Sequence, residues 1–214
     1  MLPYDAEAYR ALFAAYQAEH ALVLLLLLTS LLGAVPLGLG RHVAGHRLAA
    51  ALLGAAWLWI GWGFHWQQFA GLNFAAPLYA VLFGVQGILL LASAAAAGLP
   101  LRPPDDLTAR IGLALATVAW VGYPLIDLLE GSGLAAARLP GAAPAPTALF
   151  TLAVLLLTVR RGTWLFVPLP LLACLVAVYS GWVLGMGADI WLAPAGLLVP
   201  FLLWRRPRAG AQSH

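Results

Sequence analysis

Long apolar stretches decide what this chain can fold into. A helix needs about 20 mostly apolar residues to cross a bilayer, with about 17 as a working minimum. Five stretches meet this: Ala21–Leu39, Leu48–Phe64, Leu78–Leu99, Ile111–Leu129 and Trp164–Leu184. Two weaker ones follow the same pattern: Pro146–Val159 is short, and Ala188–Trp204 carries Pro194 and Pro200. Both are followed by arginine, which is how spans commonly stop. Only 9% of the residues are charged and 63% are hydrophobic, against about 25% and 45–50% in soluble domains. Such a chain cannot cover a surface in water. The expected fold is all-α: one integral membrane bundle of about seven transmembrane helices over residues 1–214.

The few charges report on orientation. With seven spans, Arg41, Arg47, Arg102, Arg110, Arg160, Arg161, Arg205, Arg206 and Arg208 fall on one side, and only Arg10 and Arg138 on the other. Basic residues collect on the cytoplasmic side. The N-terminus is therefore expected outside and the C-terminus in the cytoplasm, in a bacterial inner membrane. Asp5, Glu7, Glu19, Asp127, Glu130 and Asp189 lie on the outer side, and Asp105 and Asp106 on the inner.

Two segments stand apart from the spans. In the first twenty residues Tyr9, Leu12, Phe13 and Tyr16 recur at helical spacing, with Asp5 placed as an N-cap. This predicts a short amphipathic helix on the outer interface, its aromatics at headgroup depth. The first turns of a long helix 1 are the alternative. The segment Gly131–Ala145 is rich in Gly, Ala and Pro. It reads as a surface loop, with a dip back into the membrane as the alternative. Such a dip survives at depth only when buried in protein or lining a cavity.

Several chemistries are absent by composition. All eleven basic residues are arginine, so no lysine can form a retinal or pyridoxal Schiff base. The single cysteine, Cys174, rules out disulfide frameworks, thiolate zinc sites and iron–sulfur clusters. The arginines serve topology, so no nucleic-acid partner is expected.

What remains is a small set of polar residues in the outer half. Trp120, Tyr123, Asp127 and Glu130 share one face of helix 4, and Pro124 among them cannot donate to the Trp120 carbonyl. A carboxylate within a span usually marks a pathway or a pair. On helix 2, Gly54, Leu58, Gly61 and His65 share a face on which glycines permit close packing. Trp57 and Trp59 read as bundle packing. After His65 come Gln68 and Asn73, in an unusually polar turn, and the short stretch Pro146–Val159 offers Thr147. The candidate ligand-binding residues are thus His65, Gln68, Asn73, Trp120, Tyr123, Asp127 and Thr147. His20 and His65, at the outer ends of neighbouring helices, are secondary candidates for a metal or haem. No cofactor is otherwise expected.

One pattern ties these residues together. Trp57-Leu58-Trp59 leads to Phe64-His65-Trp66 and Asn73, then Gly122-Tyr123-Pro124, then Pro146-Thr147-Ala148-Leu149-Phe150-Thr151-Leu152. With Leu2-Pro3 and Phe13-Ala14-Ala15-Tyr16, it resembles an uncharacterised bacterial family of multi-pass membrane proteins. The family pattern has a cysteine where this chain has Ala145. The resemblance implies one membrane domain and singles out His65, Tyr123 and Thr147; it implies no activity.

Three functions stay open. The first is binding or transport of a small solute or cation through a polar site opening to the outer side. The second is an accessory subunit with protein partners in a larger membrane complex. The third is a redox subunit holding haem through His20 and His65.

Overall fold

The computed structural model describes residues 4–159 and 162–205. Leu2, Pro3, Arg160, Arg161, Arg206 and Arg208 lie outside the described residues. Among the described residues the secondary structure is helical, apart from one antiparallel bridge between Leu101 and Thr158. Six helical segments are long and apolar enough to cross a membrane: Ala21–Leu39, Val43–Gly71, Ala76–Ala96, Leu107–Leu129, Thr163–Leu184 and Gly187–Arg205. A seventh, Pro144–Leu157, is apolar but shorter.

The elements in chain order are α1 (Ala6–Glu19), α2 (Ala21–Leu39), α3 (Val43–Trp59), α4 (Ala76–Ala96), α5 (Leu107–Thr117), α6 (Tyr123–Leu129), α7 (Pro144–Leu157), α8 (Pro168–Leu184), α9 (Gly187–Trp191) and α10 (Leu198–Arg205). A π-helical segment, Ile60–Gln68, prolongs α3, and another, Val118–Gly122, joins α5 to α6. Successive helices α2, α3 and α4 pack side by side, and α7 packs against α5 and α8.

α1 is a helix of its own. Asp5 caps it by accepting from the Ala8 N–H at 2.8 Å, and it breaks from α2 at His20. Its aromatic stripe packs into the protein. Phe13 and Tyr16 are fully buried, with Phe13 edge-on to Phe64 and the Tyr16 hydroxyl accepting from Trp59 Nε1 at 2.7 Å. Arg10 pairs with Glu130, and Gln17 donates to the Ala137 carbonyl. α1 thus lids one end of the bundle, called here the α1 end.

α7 is the centre. Every residue from Ala145 to Leu157 is buried. Fourteen residues rise about 21 Å, short of the roughly 30 Å of a hydrocarbon core. Buried irregular chain supplies the missing length at both ends. At the α1 end, Gly131 and Gly133 to Ala135 are exposed, but Ala136–Arg138 and Pro140–Ala143 are buried. The surface-loop reading of Gly131–Ala145 therefore holds only for its first third. At the other end Leu99 and Leu101 are buried, where Leu101 N–H donates to Gly38 O and Arg102 N–H to Leu157 O. Gly98 opens this crossing with φ +73°, where a Cβ would collide with the backbone of His46 and Arg47.

α7 is tied to α3 by a single polar bond in an apolar core. Trp57 Nε1 donates to Thr151 Oγ1 at 2.8 Å. Thr151→Val keeps the shape and leaves a buried indole N–H without an acceptor. The expected loss is about 2 kcal/mol of stability, read as a lowered melting temperature in detergent solution.

Candidate functional site

A buried ion cluster organises the α1 end. Arg138, from the irregular segment before α7, lies between Asp127 on α6 and Asp189 on α9. Its Nη2 donates to Asp127 Oδ1 at 2.6 Å and its Nη1 to Asp189 Oδ2 at 2.5 Å. Its Nε and its own backbone N–H donate to Asp127 Oδ2 at 3.0 and 2.9 Å. The ring of Tyr123 lies 5.6 Å from the guanidinium carbon. The three charged side chains are only 2–6% exposed. Burial works against the charge of Arg138, but Asp189 and Asp127 more than offset it and hold the guanidinium protonated.

Charge and hydrogen bonding are both left unbalanced. One arginine faces two carboxyls, so with both ionised the cluster carries one negative charge in excess. The second Asp189 oxygen, Oδ1, and the Tyr123 hydroxyl are both buried without a well-formed hydrogen bond among the described residues, although the two side chains lie close enough to interact. Beside the cluster, Glu130 pairs with Arg10 at 3.5 Å and accepts from the Gly187 N–H at 2.7 Å.

A pocket of about 120 Å³ adjoins the cluster, with Arg138 and Asp189 in its lining. His65 lines the same pocket, and both of its ring nitrogens are buried without a partner. The His65 ring is packed by aromatics, 4.7 Å from Phe83 and 5.6 Å from Tyr79 between centroids. Trp57 closes one wall, its ring 4.3 Å from Phe83. Tyr4, Tyr9 and Phe69 cover the α1 end of the pocket, Tyr4 edge-on to Phe69 at 5.4 Å. Burial raises both phenols above their ordinary value, so they stay neutral at physiological pH.

The π-helical segments shape both halves of the site. π-turns are rare and recur at functional sites. The segment Ile60–Gln68 turns Phe64 and His65 inward and leaves Trp62 and Trp66 exposed. Val118–Gly122 precedes Pro124, which has no N–H to give a preceding turn. The wider turn takes up the mismatch, and Tyr123 and Asp127 follow it, both buried.

The sequence candidates scatter around this geometry. His65 and Asn73 line the pocket. Asp127 and Tyr123 support Arg138 from the side away from it. Gln68 donates to Glu19 at 2.6 Å, at the exposed rim. Trp120 packs edge-on against Phe150 at 5.9 Å. Thr147 accepts from Gly141 N–H and donates to Ala143 O, which pins the irregular segment. His20 sits among Tyr16 and Trp59, rings that His65 does not touch. Among the described residues no group of three His, Cys, Asp or Glu side chains could hold a metal ion.

Two central residues, Arg138 and Asp189, were not among the candidates. A signal existed for Arg138: it and Arg10 are the two arginines that break the sidedness of the rest. Both are ion-paired in the structure.

The fold is an all-α bundle with six helical segments long and apolar enough to cross a membrane, and it holds a buried Arg138–Asp127–Asp189 cluster beside a pocket. The chain belongs to the family described as "Family of unknown function (DUF6064)", whose match covers residues 6–213. No curated protein and no solved structure matches it significantly.

Proposed function

We propose that the protein binds a small cationic solute in this pocket and moves it across the membrane. The observation that carries the reading is the buried Asp189 Oδ1, without a well-formed hydrogen bond in a cluster that, with both carboxyls ionised, is one positive charge short of balance. A carboxylate kept in low dielectric is costly unless it is paired. A bound cation would supply the missing partner. The aromatic lining of Trp57, Phe83, Tyr79 and Tyr9 suits an organic cation through cation–π contact. His65 offers one donor and one acceptor to a polar group on the same solute. The arginine distribution supports an orientation with the α1 end outside and the membrane as the bacterial inner one.

The test is stabilisation of the purified protein by n-butylamine, which is protonated at neutral pH. The melting temperature is expected to rise saturably, by roughly 5–10 °C at a hundredfold excess over Kd. The neutral isostere n-butanol should give no such rise. Asp189→Asn should abolish the shift, and His65→Ala should weaken it. No shift in the wild type, or a shift unchanged in both variants, overturns the reading.

A further inference from the structure

The pocket is not a closed chamber beneath α1. Along α8 its lining follows one helical face, from Leu169 through Ala173 and Ala177 to Ser180 and Leu184. The fifteen steps from Leu169 to Leu184 rise about 22 Å, so the pocket is a long slot. On α4 it touches only the first two turns, at Tyr79, Leu82 and Phe83. These two helices meet sparsely. Gln86 Nε2, midway along α4, donates to the Phe166 carbonyl just before α8 at 3.2 Å and joins the two helices there. The most exposed lining residues are Leu172 (41%) and Tyr179 (56%), both on α8. Leu172 lies in the middle of the span Thr163–Leu184. The mouth of the slot therefore faces sideways, between two apolar membrane-crossing helices, while Tyr4, Tyr9 and Phe69 cover the end.

We infer that the occupant is a single-chain amphiphile with a primary ammonium head, which enters from the bilayer between α4 and α8. This deepens the cation reading above and rests on it. The head would donate to Asp189 Oδ1, the buried carboxylate oxygen without a well-formed hydrogen bond, and would balance the cluster. The first methylenes would lie against Ala177 and Ala173, and the rest of the chain would stay in lipid along Leu172 and Leu169. A side-facing apolar mouth admits a lipid-dissolved molecule without stripping its chain into water. The head is a simple cation, not a zwitterion. Each Arg138 nitrogen already donates to a carboxylate, and two acidic side chains face the one guanidinium, which disfavours an anionic phosphate.

Dodecylamine and n-butylamine separate the parts of this proposal. Binding is measured in lipid nanodiscs, with Ala173→Phe filling the slot two turns from Ser180. Dodecylamine affinity is expected to fall tenfold or more, because its chain no longer fits beside its bound head. Butylamine affinity should stay within twofold, since a short amine needs only the head site. If Ala173→Phe does not fold, Leu169→Trp blocks the slot further from the head and should show the same split. Both amines binding, with neither variant changing the ratio, overturns the lateral slot and leaves the cation site standing. Neither amine binding to the wild type overturns both.

Discussion

Arg138→Met is expected to cost about 3–5 kcal/mol, the largest single loss in the molecule. The side chain that goes is the one cation between two buried carboxyls. Removing one partner of a buried ion cluster leaves the other charge in low dielectric without compensation, and that is what such losses measure. The substitution also frees three segments that Arg138 joins: α6, α9 and the start of the chain leading into α7. A melting curve in detergent checks the size. The cause is checked by Asp127→Asn in the Arg138→Met background. Deleting one stranded carboxylate should recover part of the loss, whereas two independent defects would add. A simple sum would show that packing, and not charge, makes Arg138 matter.

Gly87→Val is the second large effect, at about 3 kcal/mol. A Cβ at Gly87 would stand 2.9 Å from the Gly54 carbonyl and 2.7 Å from Leu58 Cγ. Gly54 in turn would meet the Gly87 carbonyl at 3.0 Å. The two glycines let α3 and α4 approach backbone to backbone, the way small residues work in membranes. A side chain there must push the helices apart, and overpacking of this kind costs up to about 3 kcal/mol or more. Gly84, one turn earlier on α4, meets nothing within 4 Å. Gly84→Val should be close to neutral. Equal melting temperatures for the two variants would contradict the close crossing.

The two glycine faces show what the sequence could reveal. Gly54 and Gly61 were legible on one face of their helix because helical spacing is a local property. The spans were legible for the same reason; α2 has the bounds its hydropathy suggests. The role of α7 was hidden. Hydropathy reads lipid-facing and protein-buried leucines alike, so a short apolar helix gave no sign that it is the most enclosed of all. The irregular chain that completes its length is mostly apolar apart from Arg138 and Arg102, and bonds such as Leu101 N–H to Gly38 O and Arg102 N–H to Leu157 O form with residues far away in sequence.

The site was half legible for a comparable reason. His65 and Asp127 stood out because they are rare residue types within spans. Asp189 looked like an ordinary acid near a helix end, and its meeting with Arg138 spans 51 positions. No local pattern reports such a pairing. The π-helical turns widen the 3.6-residue period within Ile60–Gln68, yet His65 still faces inward with Gly61, as the helical spacing implied.

The central claim is that a cation completes the cluster at Asp189. A crystal structure of the protein grown with dodecylamine tests it most directly. The account expects density for the amine nitrogen about 2.7–3.2 Å from Asp189 Oδ1, with the chain leaving between α4 and α8. An amine bound elsewhere, with no nitrogen at Asp189 Oδ1, would contradict it.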